Sequence, residues 1–514
     1  MSDDAAKPLI LWFRKDLRLD DNHALHAACR TGRPIIPLYI REPSSSGTGA
    51  LGGAQEWWLH HSLVSLTASI EALGGSLNLV SGDALEVLVD LIKKTGADTV
   101  MWNRRYDPPG IAIDTRIKRE LEQQGLDAQS FAGQLLHEPS RLKTGGGTPY
   151  RVYTPFWRAL EGAGEPPHPV DVPKKVKFAP EFTASETLKS WKLLPTKPDW
   201  AKDFAEVWTA GEEAARERLA DFLDQSLDGY KADRDFPAKQ STSMMSPYLA
   251  LGVISPARIW EETRGLDVPA DDLVHFRKEL AWREFSYHLL FHFPKLPYAN
   301  WNDRFDGFEW SNSTAHFRAW TKGLTGYPIV DAGMRQLWRH GFMHNRVRMI
   351  VASFLIKDLM IDWRRGEAWF RDTLVDADPA SNAASWQWVA GCGADAAPFF
   401  RIFNPVLQGE KFDRDGAYVR EFVPELAALD TKYIHKPFAA PQSVLDKADI
   451  KLGETYPKPI VDHATARDRA LKAYNAVKDQ HERPFSPPAQ SLEDRGHRLR
   501  RLRGIGGMGA QSAA

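Results

Sequence analysis

Between Asp376 and Val389 the chain reads DADPASNAASWQWV, a stretch whose residue types could do chemistry on an aromatic ligand. Asp378 followed by Pro379 is a helix start: the carboxylate caps free N–H groups, and proline fits the first helical position. In the helix that follows, Asn382 and Trp386 are four apart and share a face. Trp388 points elsewhere. One short helix thus offers an amide and an indole to one neighbour, and a second indole to another. Upstream, Glu279 and Trp282 are three apart on another helical pattern. A third group is STSMMS at 241–246, where hydroxyls and backbone N–H groups ahead of a helix suit phosphate. Taken alone, the first stretch is a core helix with two buried aromatics and the third a capped helix start. The rest of the chain changes both readings.

The 514 residues leave room for two or three domains, and 43% hydrophobic with 26% charged residues is ordinary for a globular protein. Eighteen tryptophans are not ordinary; indoles are stacking platforms for bases and flavins as well as packing material. A net charge of -1 excludes a polyanion partner recognised by the whole surface, so any such site is a local patch. One candidate runs from Ala332 to Lys357. It holds Arg335, Arg339, Arg346, Arg348 and Lys357, no acidic residue, and Trp338, Phe342 and Met349 interleaved. Cys29 and Cys392 form no CxxC and no metal spacing, which points to a reducing cytoplasm and no metal site. The polar start MSDDAAKP is not a signal peptide, and no apolar run reaches a membrane span.

The elements that must position these groups fall into two kinds. Short apolar runs at 9–13, 35–40, 76–80 and 98–102 alternate with helical patterns at 22–31, 56–73 and 83–95. Asp83 and Gly96 bound the last of these. Strands alternating with helices predict a doubly wound, Rossmann-like parallel sheet over residues 1–133, an α/β domain. Gly47, Gly49 and Gly52 match GxGxxG, but the motif follows the second strand and starts several residues late. It reads as a flexible surface loop, not a dinucleotide turn. Residues 134–210, rich in proline, read as a connector. Helical periodicity dominates 211–480, as at Ala214–Leu227, Leu273–Phe291, Ile329–Met360 and Ala464–Val477, which predicts an all-α second domain. The arginine-rich end, 481–514, reads as a disordered basic tail.

The order of these motifs resembles the photolyase/cryptochrome family of blue-light flavoproteins, nearest its cyclobutane-dimer photolyases of class I/III type. The resemblance rests on WFRKDLRLDDN at 12–22, YKADRDFPAKQSTSMMSPYLALG at 230–252, ELAWREF at 279–285 and TGYPIVDAGMRQL at 325–337. It continues through MHNRVRMIVASFLIKDLMIDW at 343–363, the opening stretch, and FFRIFNPVLQGEKFD at 399–413.

The resemblance implies an α/β domain followed by a helical domain holding FAD. Tyr230, Thr242, Ser243, Met245 and Ser246 match the loop for its phosphates and ribityl chain. Asn345, Arg348, Asp376, Asp378 and Asn382 match the surround of its ring, with Arg348 and Asp376 paired and the Asn382 amide donating to N5. Trp282 and Trp388 match the two walls of a pocket for a flipped-out pyrimidine dimer, and Glu279 a group that hydrogen-bonds a base edge. Arg234, Arg346, Arg401 and Gln408 match positions that hold the damaged strand. Trp386, Trp363 and Trp310 match an electron-transfer row from flavin to surface. Asn345 and Met349 stand where (6-4) photolyases have two histidines, which disfavours that activity.

The expected function is therefore light-driven repair of cyclobutane pyrimidine dimers in DNA, by a cytoplasmic monomer with no membrane contact. The alternative is a cryptochrome photoreceptor without repair. A folate antenna, 5,10-methenyltetrahydrofolate, is carried as a further cofactor without assigned residues. Where many folate-binding members have Asn-Glu, this chain has Pro109 and Gly110.

Overall fold

The computed structural model describes residues 6–43, 51–180, 185–396 and 400–482. The expected disordered tail therefore lies almost wholly outside the described residues, as do Gly47 and Gly49 of the glycine motif.

Five parallel strands form the N-terminal sheet in the order β3-β2-β1-β4-β5: β1 (Leu9–Phe13), β2 (Ile35–Arg41), β3 (Asn78–Ser81), β4 (Thr99–Asn103) and β5 (Asp127–Phe131). Leu9 pairs with Ile35, and Ile10 with Val100. Every residue of β1 is buried, because helices cover both faces; a parallel sheet therefore reads as solid apolar runs. The connecting helices are α1 (His23–Arg30), α2 (Gly53–Ala72), α3 (Ala84–Thr95) and α4 (Pro108–Gln123). Asp83 caps α3 through the N–H groups of Leu85 and Glu86, and Gly96 ends it at φ 72°. Neither β5 nor α4 was among the expected elements. β5 (DAQSF) is a half-exposed edge strand with no apolar run. Pro109 and Gly110 open α4, and the Gly110 N–H donates to the Asp107 cap.

The loop after β1 joins the two halves. The buried Arg18 guanidinium donates to the carbonyls of Asp20, Asp21, Gly133 and Gly252. The Glu212 carboxylate accepts from the N–H groups of Leu19 and Asp20, and Asp20 pairs with Arg258 at 2.8 Å. A Cβ on Gly252 would lie 2.0 Å from the Lys15 carbonyl, so only glycine lets the chains approach this closely. Gly52 does the same for α2: its Cβ would meet the Arg371 carbonyl at 2.0 Å. The last glycine of the GxGxxG match thus serves interdomain packing.

After helix α5 (Tyr153–Gly162) and an extended stretch come α6 (Glu212–Gln225) and α7 (Ala270–His292). The expected continuous helix 329–360 is three pieces: α8 (Pro328–His340), α9 (Asn345–Ser353) and a wider π-type turn over Phe354–Asp358. Gly341 at φ 61° ends α8, and the His344 ring caps α9 by accepting from the Arg346 N–H. Then follow α10 (Trp363–Thr373), α11 (Pro379–Ala390), α12 (Pro405–Phe412) and α13 (His463–Glu482). One apolar core runs without interruption from β1 and α2 into α6 and α7, and a second fills the helical half around Trp320 and Trp363.

Candidate ligand cavity of the helical half

α7, α9 and α11 surround a cavity of about 650 Å³, within the range typical of ligand sites. Asp378 caps α11 as its sequence predicts, accepting from the N–H groups of Ala380 and Ser381, and its other oxygen accepts from the Tyr287 hydroxyl at 2.6 Å. The buried Gln387 side chain anchors the far side of α11, donating to the carbonyls of Leu296 and Ala299. Held this way, α11 presents Asn382, Trp386 and Trp388 to the cavity.

One wall carries the polar set. Asp376 Oδ2 accepts from Ser246 Oγ at 2.6 Å and Arg348 Nη2 at 2.8 Å. Its Oδ1 is buried without a partner, an acceptor awaiting a ligand N–H. Arg348 is braced by the Met343 carbonyl at 2.7 Å. Tyr230, Thr242, Ser243, Met245, Ser246, Asn345 and Met349 line the same cavity. The hydroxyl loop turns at Met244, whose φ of 51° is rare for a side chain of this size, so the loop's shape is imposed. A flavin dinucleotide fits this set: hydroxyls for its phosphates, a cation and an open carboxylate oxygen for a polar ring edge, and apolar walls for its faces.

The amide of Asn382 departs from expectation. Its Nδ2 donates to Glu367 twice, to the backbone carbonyl at 3.1 Å and to Oε1 at 2.9 Å. Both amide hydrogens are used, and the oxygen is the end left for the cavity. The expected donor is an acceptor.

Trp282 and Trp388 line the same cavity. Trp282 is stacked on Tyr153 of α5 with ring centroids 3.5 Å apart and planes 4° from parallel, so one of its faces is covered. Trp388 donates its indole N–H to the Asp395 carbonyl at 3.1 Å. Neither Tyr153 nor Asp395 was picked out from the sequence; an aromatic just after a Gly-rich loop and an Asp after GCGA carry no signal of their own. Glu279 pairs with Arg234 and Arg346 with Asp235 at 2.5 Å, so neither arginine is a free cation. Arg346 and Asp235 also line an adjoining cavity of about 530 Å³ with Arg401, Gln408 and Lys411.

Trp386 also packs against α10, and Trp363 and Trp310 lie away from the cavity. Trp386 packs on Phe370, and its indole fills the space over Gly366 on α10. Trp363, three residues before Gly366, is fully buried and donates to Asn300 Oδ1 at 2.9 Å. Trp310 is half-buried against Phe308. Neither Trp363 nor Trp310 belongs to the cavity wall.

Burial of the His344 cap pulls its imidazole down to about 4, because the charged form cannot be hydrated there. Among the described residues no cluster of His, Cys, Asp and Glu could hold a metal, and no helix is long and apolar enough to cross a membrane.

Two families match the chain in the order of its two halves: DNA photolyase over residues 9–174, and the FAD binding domain of DNA photolyase over 276–476. A deoxyribodipyrimidine photo-lyase of Agrobacterium fabrum is 66% identical, the match covering 92% of this chain and 98% of that protein. Cryptochrome-2 of Arabidopsis thaliana is 35% identical, covering 92% of this chain and 79% of that protein. The crystal structure of a bacterial class III photolyase from Agrobacterium tumefaciens superposes with a TM-score of 0.91 at 64% identity, covering 93% of this chain and all of that one. The parallel sheet followed by a helical half is thus a known architecture, and the chain belongs to the DNA photolyase family.

Proposed function

We propose that this protein repairs cyclobutane pyrimidine dimers in DNA with blue light. The supporting observation is one cavity lined both by the polar set around Asp376 and Arg348 and by the indoles of Trp282 and Trp388. The relatives named as deoxyribodipyrimidine photo-lyases point the same way. Tyr230, Thr242, Ser243, Met245 and Ser246 would hold the phosphates and ribityl chain of FAD. Asn345, Arg348, Asp376, Asp378 and Asn382 would surround its ring, with Asn382 at N5. When bound, reduced and excited, FAD supplies one electron to the dimer and recovers it once the cyclobutane has opened.

The chain's own work is placement. Trp282 and Trp388 offer apolar faces to a dimer rotated out of the duplex, and such a dimer, poorly stacked, is cheap to extrude. Tyr153 keeps Trp282 from rotating. Arg234 neutralises one oxygen of Glu279, leaving the other to accept from a base edge. Arg401, Gln408 and Lys411, beside Arg346, form the local patch that meets phosphates of the damaged strand. Trp386 and Trp363, both buried, and the half-buried Trp310 are assigned to bringing electrons inward. In this division the α/β part ends near residue 133, the connector spans 134–210 and the helical part 211–480. The protein works as a cytoplasmic monomer.

The test is repair of a dimer-containing oligonucleotide by prereduced protein under blue light, read as recovered monomeric pyrimidines. Trp388→Ala should weaken binding to that oligonucleotide by about 1–3 kcal/mol, the worth of a base–aromatic stack, and leave binding to undamaged DNA nearly unchanged. Dimers bound but unrepaired by the reduced protein would point to a photoreceptor. Repair of (6-4) lesions would show that Asn345 and Met349 do not exclude them.

A further inference from the structure

The last cation of the basic run, Lys357, is not at the surface. It sits in the π-type turn, where the Leu359 N–H reaches back five residues to the Phe354 carbonyl, and it is 2% exposed. Turns of this kind recur at functional sites. A buried ammonium is ordinarily met by a carboxylate, because an unpaired charge is costly away from water. Lys357 has no ion pair among the described residues. The neighbouring Asp358 carboxylate is committed to His463 of α13 at 2.5 Å. Lys357 Nζ donates instead to the Arg401 carbonyl and lies 4.5 Å from the centre of the Phe400 ring. Burial pulls the ammonium down to about 7.

The stretch that Lys357 grips is held at three points. Phe400 is stacked on Tyr474 of α13, with centroids 4.7 Å apart and planes 9° from parallel. The Phe403 N–H donates to Oγ of Ser353, the last residue of α9, at 3.2 Å. Between them the Arg401 carbonyl is fixed by Lys357, through a charge-assisted bond, a class roughly twice as strong as a neutral one. Only the Arg401 side chain is left over. It is exposed, has no partner among the described residues, and lines the cavity it shares with Arg346, Gln408 and Lys411. A backbone fixed in advance sets where the guanidinium begins and lowers the ordering cost of binding. We infer that Lys357 is a positioning residue: it holds the Arg401 carbonyl so that the guanidinium is aimed at a phosphate of the damaged strand. This inference rests on the proposed contact of Arg401 with that strand.

The experiment titrates a dimer-containing duplex with the flavin-loaded protein in the dark at a series of salt concentrations. It then measures repair per absorbed photon at saturating DNA. Lys357→Met keeps the length and packing of the side chain but cannot donate. With one phosphate contact fewer, the slope of log affinity against log salt should become shallower by about 0.9, which is roughly eightfold in affinity at ~0.1 M salt. Repair per photon at saturation should equal that of the parent, since a bound dimer meets the same indoles. An unchanged slope would overturn the inference. So would a loss of repair at saturation, because Lys357 would then act on the chemistry and not on the strand.

Arg401→Gln supplies the second arm. It should produce the same loss, and adding Lys357→Met to it should change nothing further. If Arg401→Gln leaves the slope as it was, Arg401 touches no phosphate, and the inference falls with the reading beneath it. If Arg401→Gln flattens the slope while Lys357→Met does not, the contact stands and the positioning is wrong. If the two losses add, Lys357 acts through its own charge and not through Arg401, which also overturns the inference. Should Lys357→Met fail to retain flavin, Lys357→Gln, one bond shorter and uncharged but still polar, is read on the same slope. A shallower slope supports the positioning role, and an unchanged one overturns it.

Discussion

Gly366 has no side chain, and the indole of Trp386 occupies the room: a Cβ there would stand 2.2 Å from Trp386 Cη2, with Leu355 closing the other side at 2.7 Å. Phe370 packs on the indole, and the cavity is the open side left to it. Gly366→Ala should therefore overpack the wall behind the cavity and destabilise the protein by about 1–3 kcal/mol, measured as a shift in urea midpoint. The same variant should lose flavin sooner on dilution, because the displaced indole must move into the cavity. Unchanged midpoint and flavin content would mean that α10 and α11 slide apart at little cost. Asp395 shows a different economy at this scale. One residue in the left-handed region, φ 54°, turns its carbonyl to the Trp388 indole N–H.

Among the elements, α9 is the one whose start is chemically sensitive. Its cap is an imidazole nitrogen that accepts from Arg346, and it carries Asn345, Arg348 and Met349 to the cavity. His344 stays neutral in the folded protein down to about 4 but titrates near its ordinary value when unfolded. Between those limits the unfolded chain binds the extra proton, so stability rises with pH across this window and is lost as pH falls through it. The slope from this one group approaches about 1.4 kcal/mol per pH unit in the middle of the window. Asn is itself a good cap, so His344→Asn should keep α9 and flatten the acid limb of stability between pH 6 and 4.5. An unaltered limb would place the titration elsewhere.

The break before α9 also shows where sequence reasoning stops. The helical pattern runs on through 341–344, because Phe342 and Met343 keep the apolar spacing; only the backbone at Gly341 and the cap at His344 reveal the turn. The central strands β1, β2 and β4 were legible because a sheet covered on both faces demands apolar runs, and the edge strand β3 because Leu79 and Val80 still mark it; the other edge, β5, carries DAQSF and no apolar run. The faces of Asn382, Trp386 and Trp388 followed from spacing along one helix. Which end of the Asn382 amide met the cavity did not, because that is decided by Glu367 on a separate helix, and no local pattern encodes how two helices register.

For the molecule as a whole, the loop after β1 makes two architectures behave as one. Arg18 has four carbonyl partners, two local, one at the end of the α/β half and one in the helical half. Arg18→Met removes all the donors and leaves those buried carbonyls unpaired, a loss of at least about 3 kcal/mol. Because the apolar core also crosses the junction, urea unfolding followed by far-ultraviolet circular dichroism and by flavin release should give coincident curves, in the variant as in the parent. Separated curves would show halves that fold independently.

The same arginine sets a timetable. Its partner in the helical half lies 234 residues further along the chain. At the usual pace of synthesis, ~5–20 residues per second, that is roughly 10–50 s after Arg18 itself has been made. Through that interval the nascent α/β half has emerged with its seam open: a guanidinium still hydrated, the Leu19 and Asp20 amides without Glu212, and one flank of its core bare. The protein is thus exposed on the ribosome at the very surface that later makes it one body, and that seam is where a chaperone would find it.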